Sequence, residues 1–251
     1  MKLTLDNGKK IDTSVYHDIS MSLVPNNENV LAWYCEPPSI TPVMTDQFVG
    51  DVNLGGNVNF RNIAFNPHGN GTHTECVGHI SSKFYSVNQL LKEFFVEAAV
   101  ITVNPETKFN EEFETEDLVI TKKMLQEALP NKQTDCVIIR TLPNSEEKIS
   151  KNYSNTNPPY IEVDAISLFN ELGVKHLMID LPSVDRELDN GALAFHHAFW
   201  QYPENPQLDK TITELVYVND SVKDGEYIAN IQIASFENDA SPSKILLFPY
   251  E

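Results

Sequence analysis

The chain contains 251 residues, enough to bury a large hydrophobic core, and no linker divides it, which predicts one domain over residues 1–251. Lys and Arg number 18 against 36 Asp and Glu, so the formal net charge is -18. A chain with this charge is repelled by nucleic acids and by anionic lipid surfaces, which leaves a small molecule as the expected partner.

The N-terminal sequence and the cysteines predict a cytoplasmic protein. The first residues lack the long apolar stretch of a signal peptide, and no later stretch approaches the roughly 18 uncharged residues that a membrane span needs. Cys35, Cys76 and Cys136 are odd in number and far apart, which favours free thiols in a reducing compartment over a disulfide framework.

The first 65 residues are predicted to form mainly strands and loops. Asn7-Gly8 lies between two short apolar stretches and is typical of a two-residue hairpin turn. Residues 17–23 alternate apolar and polar side chains as a half-buried strand does, and residues 57–65 form a further predicted strand. Between them, a Pro-rich loop over residues 36–42 follows the aromatic pair Trp33-Tyr34, which we expect to line a pocket.

Helices and strands alternate after residue 86, which predicts successive βα units. Ser86, Thr121 and Asp164 are predicted N-caps, and Gly173 is a predicted stop signal. The predicted helices cover residues 88–95, 122–129 and 165–172, and the predicted strands cover residues 98–103, 136–139 and 177–179. The polar segment 143–159 is too long for a simple connection and is predicted to be a mobile loop that covers the site.

The stretch from His68 to His79 places three of the seven histidines around one carboxylate, Glu75. His73 and Glu75 are spaced i and i+2, so on an extended strand both side chains point to the same face. Imidazole and carboxylate suit zinc, manganese or iron, and the stretch is therefore typical of a metal site. The alternative is a Gly- and Asn-rich surface turn with scattered histidines. Cys76, in the same stretch, is interpreted as a small half-buried side chain rather than a ligand.

Two further side chains that can bind metal lie downstream in apolar surroundings. On a helix over residues 192–200, the neighbours of His196 at three and four positions are all apolar, so His196 faces the interior and His197 is the less buried of the pair. Period-two alternation over residues 211–218 places Glu214 on an apolar strand face, where an unpaired carboxylate is costly. A satisfied core histidine and an exposed edge strand are the alternatives for these two positions.

Five short motifs, spread almost end to end, resemble in order and spacing the cyclase family of metal-dependent hydrolases, which includes bacterial kynurenine formamidase and isatin hydrolase. The motifs are His17-Asp18-Ile19-Ser20, His73-Thr74-Glu75-Cys76-Val77-Gly78-His79, Ile139-Arg140-Thr141, Pro182-Ser183-Val184-Asp185 and Asp239-Ala240-Ser241-Pro242. The resemblance implies a single mixed α/β domain of the swivelling β/β/α kind.

The same resemblance implies roles for the residues of the site. The implied metal ligands are His68, His73, Glu75, His196 and Glu214. His79 is the implied general acid/base, and the implied cofactor is a divalent ion, zinc in the first place and manganese in the second. The implied reaction is hydrolysis of a non-peptide C–N bond, in an amide or formamide of a small aromatic molecule, by metal-activated water. The resemblance further implies a homo-oligomer, either a dimer or a tetramer.

Three positions depart from the family pattern. The family's first histidine stands four residues before the His73 position, which is Gly69 here, and His68 is displaced by one residue. Glu75 stands where the family has a bridging aspartate, and Val77 where it has proline. Either a one-residue bulge, which the glycines favour, returns His68 to the ion, or the site holds one metal. The alternative activities are isatin-type lactam hydrolysis, cyclisation, or binding of metal or a small ligand without turnover.

Overall fold

A closed ring of seven β-strands lies at the centre of the computed structural model, which describes residues 1–129 and 132–251. In chain order the strands are β1 (Lys2–Thr4), β2 (Lys10–Asp12), β3 (His17–Asp18), β4 (Ser39–Pro42), β5 (Met44–Thr45), β6 (Phe48–Val49), β7 (Arg61–Ala64), β8 (His73–Glu75), β9 (Phe95–Val103), β10 (Glu106–Asn110), β11 (Thr115–Ile120), β12 (Cys136–Thr141), β13 (Tyr160–Ile161), β14 (His176–Ile179), β15 (Thr211–Glu214), β16 (Gly225–Ile233) and β17 (Ala240–Pro249). The helices are α1 (Pro67–Asn70), α2 (Val87–Leu90), α3 (Lys122–Ala128), α4 (Ile166–Leu172) and α5 (Ala194–Trp200). Short 3₁₀ turns cover Val52–Leu54, Val77–His79, Glu146–Ile149 and Val163–Ala165.

The ring follows the order β16, β9, β12, β14, β15, β8 and β17, and the pairing of β16 with β17 closes it. Strands β9, β12, β14 and β15 run parallel, as the predicted βα units require. Strands β8, β16 and β17 pair antiparallel with their neighbours, and β3 adds to the outside of β17. The predicted single mixed α/β domain is therefore confirmed.

Two of the parallel strands are buried along their whole length. Every residue of β12 and of β14 is buried, as in strands that are covered on both faces. One face packs against the helices in the main hydrophobic cluster, which includes Phe169, Phe199 and Trp200. Alternate residues such as Ile138 and Met178 instead belong to a cluster shared with β16 and β17. The strands thus separate two apolar layers, because successive side chains point to opposite faces.

Local sequence signals account for several helix ends. Thr121 accepts a hydrogen bond from the amide of Met124 and begins α3, as predicted. Gly173 ends α4 with a φ of 75°, a left-handed conformation that glycine adopts without strain. Asp164 is not the predicted N-cap, because it lies within a 3₁₀ turn that continues directly into α4. None of the helices in the described part of the chain has the length and apolar composition that crossing a bilayer requires.

Three other predicted elements differ from the structure. The first hairpin has a three-residue loop in which only Gly8 has positive φ, so Asn7-Gly8 does not form the predicted two-residue turn. The predicted helix over residues 88–95 is reduced to α2, since β9 begins at the end of that range. The predicted strand over residues 17–23 is reduced to β3 and a single bridge at Ser20.

The polar segment 143–159 packs against the ring. Lys148 is buried, and its Nζ lies 2.7 Å from Asp180 Oδ2. Farther along the segment, Asn152 forms a β-bridge with Leu31. Breaking a buried ion pair strongly destabilises a protein, because it leaves a buried charge without a partner. The contact between Lys148 and Asp180 therefore holds the segment in place. The segment is therefore anchored, contrary to the predicted mobile loop.

We expect the buried histidine of β14 to make stability depend on pH. Burial, with a smaller effect of Lys175, lowers the pKa of His176 from 6.5 to about 4, and its Nδ1 lies 2.8 Å from Thr211 Oγ1. The unfolded chain binds this proton at higher pH than the folded chain does. The contribution of His176 to the free energy of unfolding therefore falls as the pH drops from about 6.5 to about 4, by roughly 2 kcal/mol at pH 5.

Urea unfolding at pH 7 and at pH 5 measures this contribution. His176→Gln should reduce the difference between the two pH values, because the glutamine side chain does not titrate. His17→Gln, which removes a half-buried histidine of β3, serves as the matched control. An identical pH dependence in the wild type and in His176→Gln would contradict the prediction.

Candidate active site

The register of one central strand assembles the middle of the site. Strand β8 carries His73 and Glu75 and pairs with β15 on one edge and with β17 on the other. This register places Glu214 directly opposite His73, with Glu214 Oε2 3.5 Å from His73 Nε2. All three side chains are buried. Glu214 therefore lies on an interior strand, and the alternative of an exposed edge strand is wrong.

A single helical turn, α1, returns His68 to this group. His68 Nδ1 lies 3.1 Å from Glu75 Oε2, although His68 is displaced by one residue from the family position. The turn packs closely on the preceding loop, because a Cβ on Gly69 would come within 2.6 Å of Cys35 Sγ and 2.8 Å of Ala32 O. Glycine is therefore required at this position for steric reasons. The displaced histidine reaches the site, as the predicted bulge requires.

His79 and Asp239 form the more open side of the site. His79 ends the 3₁₀ turn after β8, and its Nδ1 lies 3.4 Å from Asp239 Oδ2 and 3.9 Å from Glu75 Oε2. Asp239 Oδ2 also lies 2.8 Å from His68 Nε2, and the rings of His68 and His79 stack with centroids 4.3 Å apart. The His79 side chain is 29% exposed, whereas that of His73 is fully buried. His79 is thus the more accessible of the two histidines.

His196 is oriented by a carboxylate from the loop before α5. It is buried, as predicted, and its Nδ1 lies 2.6 Å from Asp185 Oδ2. Asp185 also accepts hydrogen bonds from the amides of Phe195 and His196, so the same carboxylate begins the helix. His196 Nε2 lies 3.1 Å from Glu75 Oε1 and 3.8 Å from Glu214 Oε1. A carboxylate that fixes the second nitrogen of a histidine in this way is typical of metal sites.

Two buried atoms at the centre of the site point to a metal ion. Within the described residues, His73 Nε2 and Glu75 Oε2 are buried but make no well-aligned hydrogen bond. His73 Nδ1 lies 2.9 Å from Gly71 O, so we place the ring proton there and the lone pair on Nε2. Unsatisfied buried polar atoms are costly, and a cation would satisfy both of them.

Two sets of three side chains place their ligand atoms within 4.8 Å of one another. One set is His68, Glu75 and His79, and the other is His73, Glu75 and Glu214. Glu75 belongs to both sets, as a bridging carboxylate would. Imidazole nitrogens with carboxylate oxygens are a donor set that zinc and manganese accept. The residues present therefore fit a divalent metal.

The charges around Glu75 favour a cation at this place. Burial opposes a charge on Glu75, but the neighbouring imidazoles, His79 first, hold the pKa of its carboxyl well below the ordinary value. Burial likewise opposes a charge on His68 and His196, but hydrogen bonds to their partner aspartates, together with Glu75, raise the pKa of each imidazole to about 10. The carboxylate of Glu75 thus stays ionised and attracts positive charge, which either protons or a metal ion can supply.

A cavity of about 370 Å³ opens beside these side chains. Its walls include the imidazoles of His68, His79 and His196. Of the aromatic pair Trp33-Tyr34, the indole lines the cavity and the phenol is exposed. The cavity is therefore a place where a small molecule can contact His79 and the carboxylate of Glu214 together.

The anchored segment 143–159 contacts one residue in the wall of the cavity. Among the described residues, none from this segment lines the cavity, so the predicted covering role is wrong. The amides of Asn155 and Asn157 instead donate hydrogen bonds to the two carboxylate oxygens of Glu187, which does line it. The segment thus fixes one wall of the cavity rather than closing its mouth.

Two carboxylates that contact the site, Asp185 and Asp239, are not among the predicted site residues. Both belong to motifs that resemble motifs of the family, and this membership was the only signal for them in the sequence. Asp239 reaches His68 because the register of β17 with β8 places Ala240 opposite Glu75. Such a contact depends on long-range pairing and leaves no periodic pattern around the residue itself.

Comparison with known proteins finds a matching family model, a sequence relative and several structures of similar fold. A sequence model of the Cyclase family matches residues 17–186. Kynurenine formamidase from Bacillus cereus is 27% identical over 240 residues, which cover 94% of this chain and 99% of that protein. Isatin hydrolase A from Labrenzia aggregata has a TM-score of 0.66 at 15% identity and covers 94% of each chain. A structure described as a potential metal-dependent hydrolase with cyclase activity has a TM-score of 0.65 at 16% identity, covering 94% of this chain and 98% of that one. These structures share the fold.

We expect removal of metal to lower the thermal stability of the protein. An ion that binds only the native state stabilises it by about 4 kcal/mol at a free concentration roughly 1,000 times its dissociation constant. For a chain of this length, loss of that binding corresponds to a fall in Tm of roughly 10 °C. Thermal melts before and after exhaustive chelation, with elemental analysis of both samples, measure the effect.

Two variants control the chelation experiment. His197→Gln should respond to chelation as the wild type does, because the His197 ring lies 3.0 Å from Tyr202 O, away from the ligand sets. His73→Ala should respond much less, since it removes one of the buried side chains that could bind the ion. An unchanged Tm in wild-type protein that has demonstrably lost its metal would contradict the prediction.

Proposed function

Since the chain belongs to the Cyclase family, we propose that it is a metal-dependent hydrolase that cleaves a non-peptide C–N bond in a small aromatic amide or formamide. The similarity to a protein named kynurenine formamidase over 94% of the chain supports this reaction class. We further propose that the protein acts in the cytoplasm as a homo-oligomer, on a small-molecule substrate and without nucleic-acid or membrane partners.

The observation that carries the proposal is that two buried atoms next to a cavity, His73 Nε2 and Glu75 Oε2, make no well-aligned hydrogen bond within the described residues. A site built for stability alone would pair these atoms with other protein groups, whereas a lone pair and a carboxylate oxygen suit a cation. The proposed ligands are His68, His73, Glu75, His196 and Glu214, for zinc in the first place and manganese in the second. Such an ion, when bound, lowers the pKa of water toward roughly 7 and polarises a carbonyl.

His79 is the group that we propose as general acid/base. It lines the cavity, and Asp239 Oδ2 lies 3.4 Å from its Nδ1, so the carboxylate of Asp239 orients the ring. A positioned imidazole can take a proton from water and deliver it to the leaving nitrogen, which a formamide or amide requires before its C–N bond breaks. His73 is fully buried and does not line the cavity, so it has no access to a leaving group and is suited to ligation alone.

The cavity supports a small substrate with one flat apolar part. Its volume of about 370 Å³ lies near the lower end of the roughly 300–1,000 Å³ of most ligand pockets. Trp33 and Leu193 offer apolar contacts, and Arg186, Glu187 and Ser183 offer polar ones. An aromatic ring against the indole with the scissile carbonyl toward the imidazoles is the arrangement that this distribution favours.

Substrate profiling tests the reaction class. We expect the zinc- or manganese-loaded protein to hydrolyse an aryl formamide, and chelation to abolish the turnover. An aryl lactam and a peptide serve as comparison substrates, because each contains a different kind of C–N bond. Turnover of the lactam alone would replace the proposed formamide hydrolysis by isatin-type hydrolysis. Metal binding without turnover of any substrate would identify a binding member of the family instead.

Substitution of His73 and of His79 should distinguish metal ligation from proton transfer. His73→Ala should lose metal and activity together, because its Nε2 lies buried between carboxylates. His79→Ala should keep near-normal metal content while kcat falls by roughly 10²–10⁴, the usual loss when a general acid/base is removed. Elemental analysis and steady-state kinetics on the same preparations provide both readouts.

Added imidazole is the control for this pair of variants. It should restore part of the rate of His79→Ala and none of the rate of His73→Ala. Since His79 also lies within reach of a ligand set with His68 and Glu75, a loss of metal in His79→Ala equal to that in His73→Ala would identify His79 as a ligand. The proton-transfer role would then be wrong.

A further inference from the structure

Two carboxylates in the wall of the cavity have no cationic partner. Glu187 and Asp189 both line the cavity, and both residues are partly buried. Each carboxylate accepts two hydrogen bonds from backbone amides, one on each oxygen. The donors are the amides of Asn155 and Asn157 for Glu187, and those of Gly191 and Leu193 for Asp189. Among the described residues, no Lys, Arg or His side chain forms an ion pair with either carboxylate.

The arginine in the cavity wall is already paired with another carboxylate. Arg186 Nε lies 2.9 Å from Asp117 Oδ2, and its Nη2 lies 3.2 Å from Asp117 Oδ1, as in a bidentate pair. Its Nη1 donates a hydrogen bond to the carbonyl of Leu188. The described residues that line the cavity include no Lys and no other Arg. The positive charge of Arg186 therefore compensates Asp117, and the charges of Glu187 and Asp189 stay uncompensated.

The proposed metal ion would not compensate these two charges. The carboxylates in the candidate ligand sets are Glu75 and Glu214, whereas Glu187 and Asp189 belong to neither set. A divalent ion balances the two carboxylates that hold it, and the other two keep a negative potential in the cavity. In a partly buried cleft such charges act on a ligand more strongly than in bulk water, because the surroundings are less polarisable. The metal-loaded cavity thus favours a positively charged group on the ligand.

We propose that Glu187 and Asp189 select a substrate that carries a protonated amine in addition to its aromatic ring and scissile bond, an inference that rests on the proposed function. Each of the carboxylate oxygens accepts one amide hydrogen and retains a further lone pair. An ammonium group has three donors and no acceptor, so it is matched to these free acceptors. An indole also attracts cations over its face, and Trp33 lines the same cavity.

Both carboxylates are held in place before a substrate binds. The anchored segment 143–159 holds Glu187 through two backbone amides. The loop that leads into α5 holds Asp189 through the amides of Gly191 and Leu193. Because these contacts restrict the two side chains, little conformational entropy is lost when a ligand donates to them. An anionic substrate would instead meet two fixed like charges, which disfavours its binding.

Binding of two probes of nearly equal size tests the proposal without any measurement of turnover. The probes are 2-phenylethylamine, which is protonated at pH 7, and the neutral 2-phenylethanol, each titrated into the full-length, zinc-loaded protein by isothermal calorimetry. We expect the amine to bind about 10-fold more tightly at low ionic strength, and this ratio to shrink as salt is added. Glu187→Gln and Asp189→Asn should each lower the ratio about 3-fold and leave the affinity for 2-phenylethanol unchanged, because each removes a charge but keeps an oxygen acceptor.

Glu171→Gln is the matched control, because it removes one negative charge from an exposed position on α4, outside the cavity. This variant should keep the ratio of the wild type. Equal affinity of the wild type for both probes, or an equal fall of the ratio in Glu171→Gln, would overturn the proposal. A proportional loss of affinity for both probes in the two cavity variants would overturn it as well, because the carboxylates would then only support the wall. Selective binding of the amine by a protein that hydrolyses no formamide would refute the proposed function and support the selection of a cation.

Discussion

A carboxylate buried at the centre of the ring determines how the rest of the site is built. Glu75 has no exposed surface, and burying a carboxylate costs on the order of several kcal/mol unless donors or cations face it. Imidazoles from three separate helical elements lie within 3.9 Å of it, namely those of His68 on α1, His79 in the 3₁₀ turn after β8 and His196 on α5. They can converge there because β8 is held between β15 and β17. The same strand register therefore serves both the fold and the site.

The histidines of the site require a second set of hydrogen-bond acceptors, outside the buried carboxylates. An imidazole that faces Glu75 or Glu214 has another ring nitrogen, and a buried nitrogen also needs a partner. Asp239 supplies that partner for His68, Asp185 supplies it for His196, and the carbonyl of Gly71 supplies it for His73. Each of these three histidines is thus oriented by a group on its far side, independently of any bound ligand. The arrangement resembles the carboxylate–histidine pairs that surround metal ions, where outer partners set the tautomer and the direction of the ring.

Short-range signals in the sequence were sufficient for the parts of the structure that depend on local geometry. The spacing of His73 and Glu75 predicted their shared strand, the hydroxyl of Thr121 predicted the start of α3, and Gly173 predicted the end of α4. The helix expected after Ser86 is shorter than predicted, because the long strand β9 is needed between β12 and β16. Tertiary pairing overrides local propensity there, and no window of sequence contains the partner strands.

The site was predicted unevenly for the same reason. The six predicted residues come together, since each carried a chemical signal of its own: an imidazole or a carboxylate in apolar or Gly-rich surroundings. Asp185 and Asp239 had no such setting, because their contacts arise from segments that are distant in sequence. The anchoring of segment 143–159 was missed because a polar composition is typical of loops, whether or not a buried pair such as Lys148 and Asp180 holds them.

One carboxylate, that of Asp185, makes two contacts whose combination has a consequence for binding. It accepts hydrogen bonds from the amides of Phe195 and His196 at the start of α5, and also from Nδ1 of His196. The carboxylate that caps the helix therefore also fixes the orientation of the His196 ring. The rotational entropy of the imidazole is therefore lost when the chain folds. A ligand that later meets His196 Nε2 finds a preorganised group, and its affinity is not reduced by the cost of ordering that side chain.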